Sequence, residues 1–359
     1  MDVLTTGQIT AMSADQIKSF SLTQLSALDA GQVSALEAPD IVALSVAQID
    51  SLSNEQIAAI PVNLVSSISA QAITGMRDAQ IQSFTAAQLG AFTNAQVQAL
   101  TSNHVKALTV EQVAAISTNG IAAMSDTQFA AFSAAQIPSL TAAQVGAITN
   151  ANLAAMPTAS LRAFTPEQIV ALSSAQIAAV TPSQFSSLTA TQVESLQTDD
   201  LSNLTVDQAS AMTMTQIKAI PAANVQYLTT GSIQAFSATQ IQAFTAEQVS
   251  QLLTTQVAAL YNGQIASLTS DQISSLTNPQ VGAIGTQQIK ALTVDQMAAL
   301  TVEQIPSINE YSLAGMSAAQ LGNFDVTQLT AFTSPQRNSL SSGKVALLAV
   351  EQRQALGFA

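Results

Sequence analysis

The chain contains no cysteine and no tryptophan. Without thiols there can be no disulfide, no thiol chemistry and no Cys-based metal site, and a small disulfide-stapled secreted scaffold is disfavoured. One histidine, His104, without neighbouring acids or Cys makes no metal-ligand set. Basic residues are few and scattered: nine Lys and Arg face 22 Asp and Glu, for a net charge of −13 and a pI near 4.1. Nucleic acid is therefore a poor partner, because its binders carry basic patches. The acidity fits solubility and resistance to aggregation. Mean hydropathy is +0.31, yet polar residues interrupt every stretch. No run approaches the roughly 18 apolar residues of a membrane helix, so no membrane insertion is expected. The opening Met-Asp-Val-Leu-Thr-Thr lacks a basic n-region and an apolar h-region, so this chain shows no signal peptide of the usual form. No Gly- or Pro-rich linker interrupts it, which predicts a single array over residues 1–359.

What the chain does have is an octapeptide, seen cleanly as Thr-Pro-Glu-Gln-Ile-Val-Ala-Leu at Thr165 to Leu172. With Thr as position 1, residues 5–356 divide into octads without insertion or deletion, and 352/8 gives 44 of them. Fixed-period self-similarity marks a repeat architecture. Position 8 is apolar in every copy, and position 5 in all but Arg337 and Arg353. Position 4 is Gln in 32 copies and position 1 is Ser or Thr in 31. Position 7 is usually Ala or Ser, and positions 2, 3 and 6 vary.

Periodicity excludes the two simplest structures. Buried strand residues lie an even number apart, whereas positions 5 and 8 are three apart. In one continuous α-helix, eight residues overshoot two turns by about 80°, so the apolar stripe would wind around the rod. Position 1 supplies the phase reset. Ser or Thr followed three residues later by Gln is a capping box. Each octad is thus expected to be a short helix over positions 2 to 7, followed by a turn and a new cap.

Charge placement supports this reading. Of the 21 acids inside octads, 17 lie at positions 1 to 3, and five of the nine bases lie at position 6. Acids at helix starts and bases at helix ends complement the helix dipole. Pro166 and Pro182 occupy position 2, where a missing N–H costs nothing. Pro61, Pro157 and Pro221 occupy position 1, and Pro39, Pro279 and Pro335 position 3. Pro138 and Pro306, at position 6, delete an N–H that should bond back to position 2, so those octads are expected to be irregular.

The fold class expected is all-α: an elongated solenoid of about 44 capped helical turns, each octad covered by its neighbours. With two or three octads per coil and layers roughly 8–10 Å apart, such a rod has a radius of gyration of at least about 35 Å. A compact chain of this length would have about 21 Å. Thr333 to Ala359 is expected to be a C-terminal cap, because Arg337 and Arg353 replace apolar residues and Lys344 replaces Gln. No comparable N-terminal cap is evident; either Met1 to Leu4 fray or another protein or domain covers that side. Met and Phe follow each other at position 8 in Met12/Phe20, Met76/Phe84, Met124/Phe132, Met156/Phe164 and Met316/Phe324. This is a trace of duplication or a recurring seam.

Reactive constellations are scarce. His104 replaces a position-4 Gln and is expected to be an isolated capping or surface residue. Asp199 and Asp200 are adjacent acids without a ligand loop, and no calcium-loop or phosphate-loop pattern occurs. Ser and Thr occur where caps require them, so a Ser-His-Asp set is not the economical reading. No catalytic, cofactor-binding or metal residue is expected, and no cofactor. The Gln column is expected to act in capping boxes, with a ladder of amides bonding from layer to layer as the alternative or companion role.

The octad Ser/Thr-x-x-Gln-Ile/Val-x-Ala-Leu, over residues 5–356, resembles tandem arrays in large bacterial, mainly proteobacterial, surface or exported proteins. The resemblance implies a structural, extracellular role of the stalk or adhesin type, with the cytoplasm as the alternative location. A non-enzymatic rod, spacer or filament unit is the leading expectation. The alternatives are a solenoid that recognises a protein, peptide or glycan through positions 2, 3 and 6, and a water- or ice-ordering surface. End-to-end self-association is a further expectation.

Overall fold

The computed structural model describes residues 4–358; Met1 to Val3 and Ala359 lie outside the described residues, including part of the expected fraying and capping segments. Among the described residues every octad carries one short helix, 40 of them α and four 3-10, and no strand occurs. The chain is an all-α repeat solenoid. Most helices run over positions 2 to 6 or 2 to 7, as in Thr6–Thr10 and Pro166–Ala171. The phase reset lies in two extended residues. In the octad that starts at Thr165, Thr165 has φ −73° and ψ 160°, and Leu172 has φ −73° and ψ 140°. Two extended residues after about one and a half helical turns redirect the chain, so positions 5 and 8 return to the interior in each copy.

Two compact units are present, divided between Val180 and Thr181, and each holds 176/8 = 22 octads. Within each unit a helix packs on the helices three octads before and after it. The sequence left two or three octads per coil open, and the structure decides on three. The helix at Ala86–Gly90 lies against Val110–Ala115, and Ala246–Ser250 against Ser270–Ser275. Between them lies a core of position-5 and position-8 side chains: Ile57, Ile73, Val113 and Ile273 are fully buried, and Leu100, Leu172 and Leu292 nearly so. Aromatic position-8 residues pair edge to face, with ring centroids 5.2 Å apart for Phe84 and Phe92 and 5.5 Å for Phe236 and Phe244. These rings are packing groups.

Proline sorts the irregular octads. All four 3-10 elements fall in Pro octads: Val62–Ser67 after Pro61, Ile137–Ser139 around Pro138, Ala222–Tyr227 after Pro221 and Ile305–Ser307 around Pro306. At position 6, Pro deletes the i→i−4 donor, and tighter 3-10 turns replace the α-turn. This matches the irregularity expected for Pro138 and Pro306. At position 1 the logic differs. Pro61, Pro157 and Pro221 have no N–H to offer, and the residue three further on is Leu64, Ser160 or Asn224, never Gln.

Candidate functional site: the buried glutamine column

The most distinctive polar feature is the column of position-4 glutamines, and most of it is buried: Gln80 and Gln208 are 0% exposed and Gln144 is 2% exposed. Burying an amide is costly unless its donors and acceptor are all engaged. Gln144 shows how they are. Its Oε1 accepts the backbone N–H of Thr141 at 2.7 Å, while the Thr141 hydroxyl accepts the backbone N–H of Gln144 at 3.2 Å. That is the capping box, formed as the sequence indicated. The Nε2 points the other way and donates to the carbonyls of Val113 at 2.9 Å and Ile116 at 2.7 Å.

Those carbonyls belong to positions 5 and 8 of the octad four earlier, 31 and 28 residues back. The spacing repeats at Gln56, Gln96, Gln216 and Gln336, among others. Helix C-termini leave carbonyls without intrahelical donors. Gln144 and its equivalents therefore cap the N-terminus of their own helix and the C-terminus of the helix four octads earlier. The layer-to-layer role expected of the column is present, but with a different partner: amides bond to backbone carbonyls, because amide-to-amide pairing would leave those carbonyls unserved.

Four of the twelve substitutes for Gln preserve a donor to the position-8 carbonyl. His104 accepts the Thr101 N–H at Nδ1 (3.2 Å) and its Nε2 lies 2.8 Å from the Met76 carbonyl, so Nε2 carries the hydrogen. It is 3% exposed and lies inside the column, which decides between the capping and surface roles expected for it. The Asp78 carboxylate is 3.8 Å from Nε2. Asn152 donates to Met124 at 3.2 Å, and Ser160 and Ser312 donate to Phe132 and Ile284, each at 3.0 Å. Asp40 and Asp200 keep only the acceptor half, each receiving the position-1 N–H at 2.8 Å. Burial pushes the Asp200 carboxyl up from the ordinary aspartate range; the hydrogen bond from Gln197 opposes this, and the neighbouring Asp199 charge adds to it. Where the position-1 side chain makes no cap hydrogen bond, at Leu253, Tyr261 and Gly285, the Gln still accepts the N–H, so half of the box survives.

Position-3 acids complete the helix starts. The carboxyls of Glu111, Glu167 and Glu303 are held below the ordinary range, first by their own backbone N–H and then by the position-1 hydroxyls of Thr109, Thr165 and Thr301. The helix N-terminus thus favours the charged form.

Among the described residues no three His, Asp or Glu side chains converge as a metal site would require, and no helix is long and apolar enough to cross a membrane. An open groove of about 410 Å³ is lined by Glu194, Lys218, Pro221, Thr245 and Glu247, without a nucleophile–base pair. His104 and Asp200 are brought to equivalent ladder positions in different octads, not to one site. Sequence reasoning missed the carbonyl partners of the Gln column. The loss of Gln in the octads that begin with Pro61, Pro157 and Pro221 reports only the missing position-1 N–H, and no local pattern marks the carbonyl partners.

Residues 105–142, 145–182 and 153–190 match the model of the ALTTAQ repeat. This is a tandem repeat protein. The three matches start at Val105, Val145 and Leu153, each at position 5 of an octad, so the repeats of that model keep the register found here. No curated protein gives a significant match.

Proposed function

We propose that this repeat protein is a non-enzymatic structural element, a spacer in a bacterial surface or exported assembly. The observation that carries this reading is the double use of the Gln column. The amides of the chain's most numerous buried polar side chains are engaged in holding one coil on the next, and the Ser and Thr hydroxyls beside them in capping their own helices. Each coil repeats the same bonds, so length can change by whole coils without redesign, as in other solenoids. The bacterial surface setting rests on the resemblance of the octad to tandem arrays of surface and exported proteins; protease accessibility on intact cells of the producing organism would check it.

The spacer reading has a direct test, helped by the absence of cysteine. Cysteines for spin labels are introduced at Asp50 and Val170, both exposed and in the first unit. Deleting residues 85–108, three whole octads, should shorten the label distance by one layer, about 8–10 Å. A collapsed or unchanged distance distribution in the folded deletion variant would refute an additive spacer.

One observation favours a binding face as a second reading. Exposed apolar residues concentrate at position 2, and Val302, Val326 and Val350 (36, 46 and 58% exposed) recur at the starts of octads three apart. Replacing all three with Ser should then weaken capture of a protein or glycan partner without changing stability.

A further inference from the structure

The interlayer bonds are interrupted twice, in matching ways. At Leu64 and Ala72 in the first unit, and at Asn224 and Ser232 in the second, two consecutive octads bring no side-chain donor to the carbonyls four octads earlier. The carbonyls of Leu36, Leu44, Leu196 and Leu204, at the ladder spacing from these residues, receive no side-chain donor among the described residues. The Ser232 hydroxyl pairs instead with that of Thr229, at 2.9 Å. A single gap, as at Gly120, lies between rungs, here Gln112 and Gln128. The double gaps have rungs only at their borders: Gln56 and Gln80 bond to Leu28 and Leu52, and Gln216 and Gln240 to Leu188 and Met212. Each double gap opens with a proline, Pro61 or Pro221, and a 3-10 element, Val62–Ser67 or Ala222–Tyr227. The two lie 221 − 61 = 160 residues apart, or 20 octads, and Asp40 and Asp200, the two acids of the column, keep the same interval. Residues at matching places differ, Leu64 against Asn224 and Ala72 against Ser232. What recurs is therefore the missing donor and not a residue type.

We propose that each double gap is a yielding seam of its unit. In the first unit Val62–Ser67 and Ala70–Gly75 part from Ala38–Ala43 and Val46–Asp50 before neighbouring coils separate. In the second, Ala222–Tyr227 and Thr230–Ala235 part first from Thr198–Ser202 and Val206–Ala211. The apolar core continues across both seams, with Val65, Ile73, Val225 and Ile233 fully buried. Apolar contact is non-directional. The amide bonds that fix one coil against sliding on the next are the part that is lost. In a repeat array, local opening is set by the contacts between neighbours. A rung of two net hydrogen bonds changes the local opening constant about 30-fold, and each seam lacks two adjacent rungs. Proline secures the gap, because without an N–H at Pro61 or Pro221 a glutamine three residues on would leave its own oxygen unserved. A load or a protease would meet the array first at these seams, and the regular rungs beyond would keep their coils together.

Hydrogen exchange on the full chain reads the seams directly. In wild type, amides of residues 61–76 should exchange at least about 30-fold faster, relative to their intrinsic rates, than those of 85–100, where Gln88 and Gln96 restore the rungs. Residues 221–236 should do so relative to 245–260, held by Gln248 and Gln256. A72Q adds an amide to an octad whose Ser69 hydroxyl already accepts the N–H of residue 72, at 3.1 Å. It should slow exchange of 61–76 about 30-fold and leave 221–236 fast. S232Q, beside the Thr229 cap, should do the reverse. A72E and S232E bring the acceptor without the donor and should leave both segments fast. Wild-type rates that are equal in seam and reference segments overturn the proposal. So do folded A72Q and S232Q proteins with unchanged exchange, and so does equal slowing by the glutamate variants, which would be capping alone. If neither glutamine variant folds, the wild-type comparison decides by itself.

Discussion

Replacing Gln144 with Glu separates the two halves of the glutamine's work. The substitution keeps an oxygen for the Thr141 N–H, so the capping box survives. It removes the Nε2 donor to the carbonyls of Val113 and Ile116. Each net hydrogen bond is worth about 1 kcal/mol, so losing two costs roughly 2 kcal/mol. Placing a carboxylate in the buried site of Gln144 adds to that. A local cost of about 2 kcal/mol accelerates exchange about 30-fold. Hydrogen exchange is the appropriate assay, because a repeat array need not unfold in one step. Amides of residues 109–148 should exchange at least that much faster in Q144E at pH 7, with residues 5–36 unchanged as an internal control. Burial should raise the pKa of the introduced carboxyl. The folded state then prefers the protonated form, so the variant should regain stability as pH falls through the raised pKa. Wild-type protection in Q144E at pH 7 would refute the interlayer role and leave the capping box alone.

Asp40→Gln supplies the missing amide donor in a buried site, and should stabilise residues 37–44 by about 1 kcal/mol, read as slower exchange; unchanged exchange there would count against the missing donor. Asp200→Asn should stabilise the second unit at neutral pH and lose that advantage in acid: with the folded pKa of Asp200 raised by burial, its stabilising contribution is present at low pH and lost as pH rises through the raised value. Thermal melts at several pH values would show it, and a pH-independent difference would contradict it. Leu172→Ala, at a buried core site, should cost about 2–5 kcal/mol, whereas Val170→Ala, at an exposed one, should change stability by under about 0.5 kcal/mol. Equal losses measured by local exchange would rule out the core assignment of position 8.

Local sequence was enough to specify the repeating unit. Strict spacing of positions 1, 4, 5 and 8 fixes a capped turn, because hydroxyl, amide and backbone N–H all lie within one octad, and local chemistry needs no tertiary partner. It also marked where the unit would deform, at Pro138 and Pro306, for the same local reason. The number of octads per coil was not legible. It depends on how two extended residues angle each helix against the next, and on which helices then meet; Gly90 beside the Ala115 carbonyl is a consequence of that packing and not of any local rule. The second role of Gln144 was hidden likewise: its carbonyl partners at Val113 and Ile116 become neighbours only once three octads have closed a coil. Arg337 and Arg353 stood out as breaks in the pattern, and the carbonyls they serve, Thr330 and Leu348, lie in the octad just before each, seven and five residues back. Local hydrogen bonding can be written in a single octad, whereas the contact between Gln144 and Ile116 is decided by the geometry accumulated over all the turns between them.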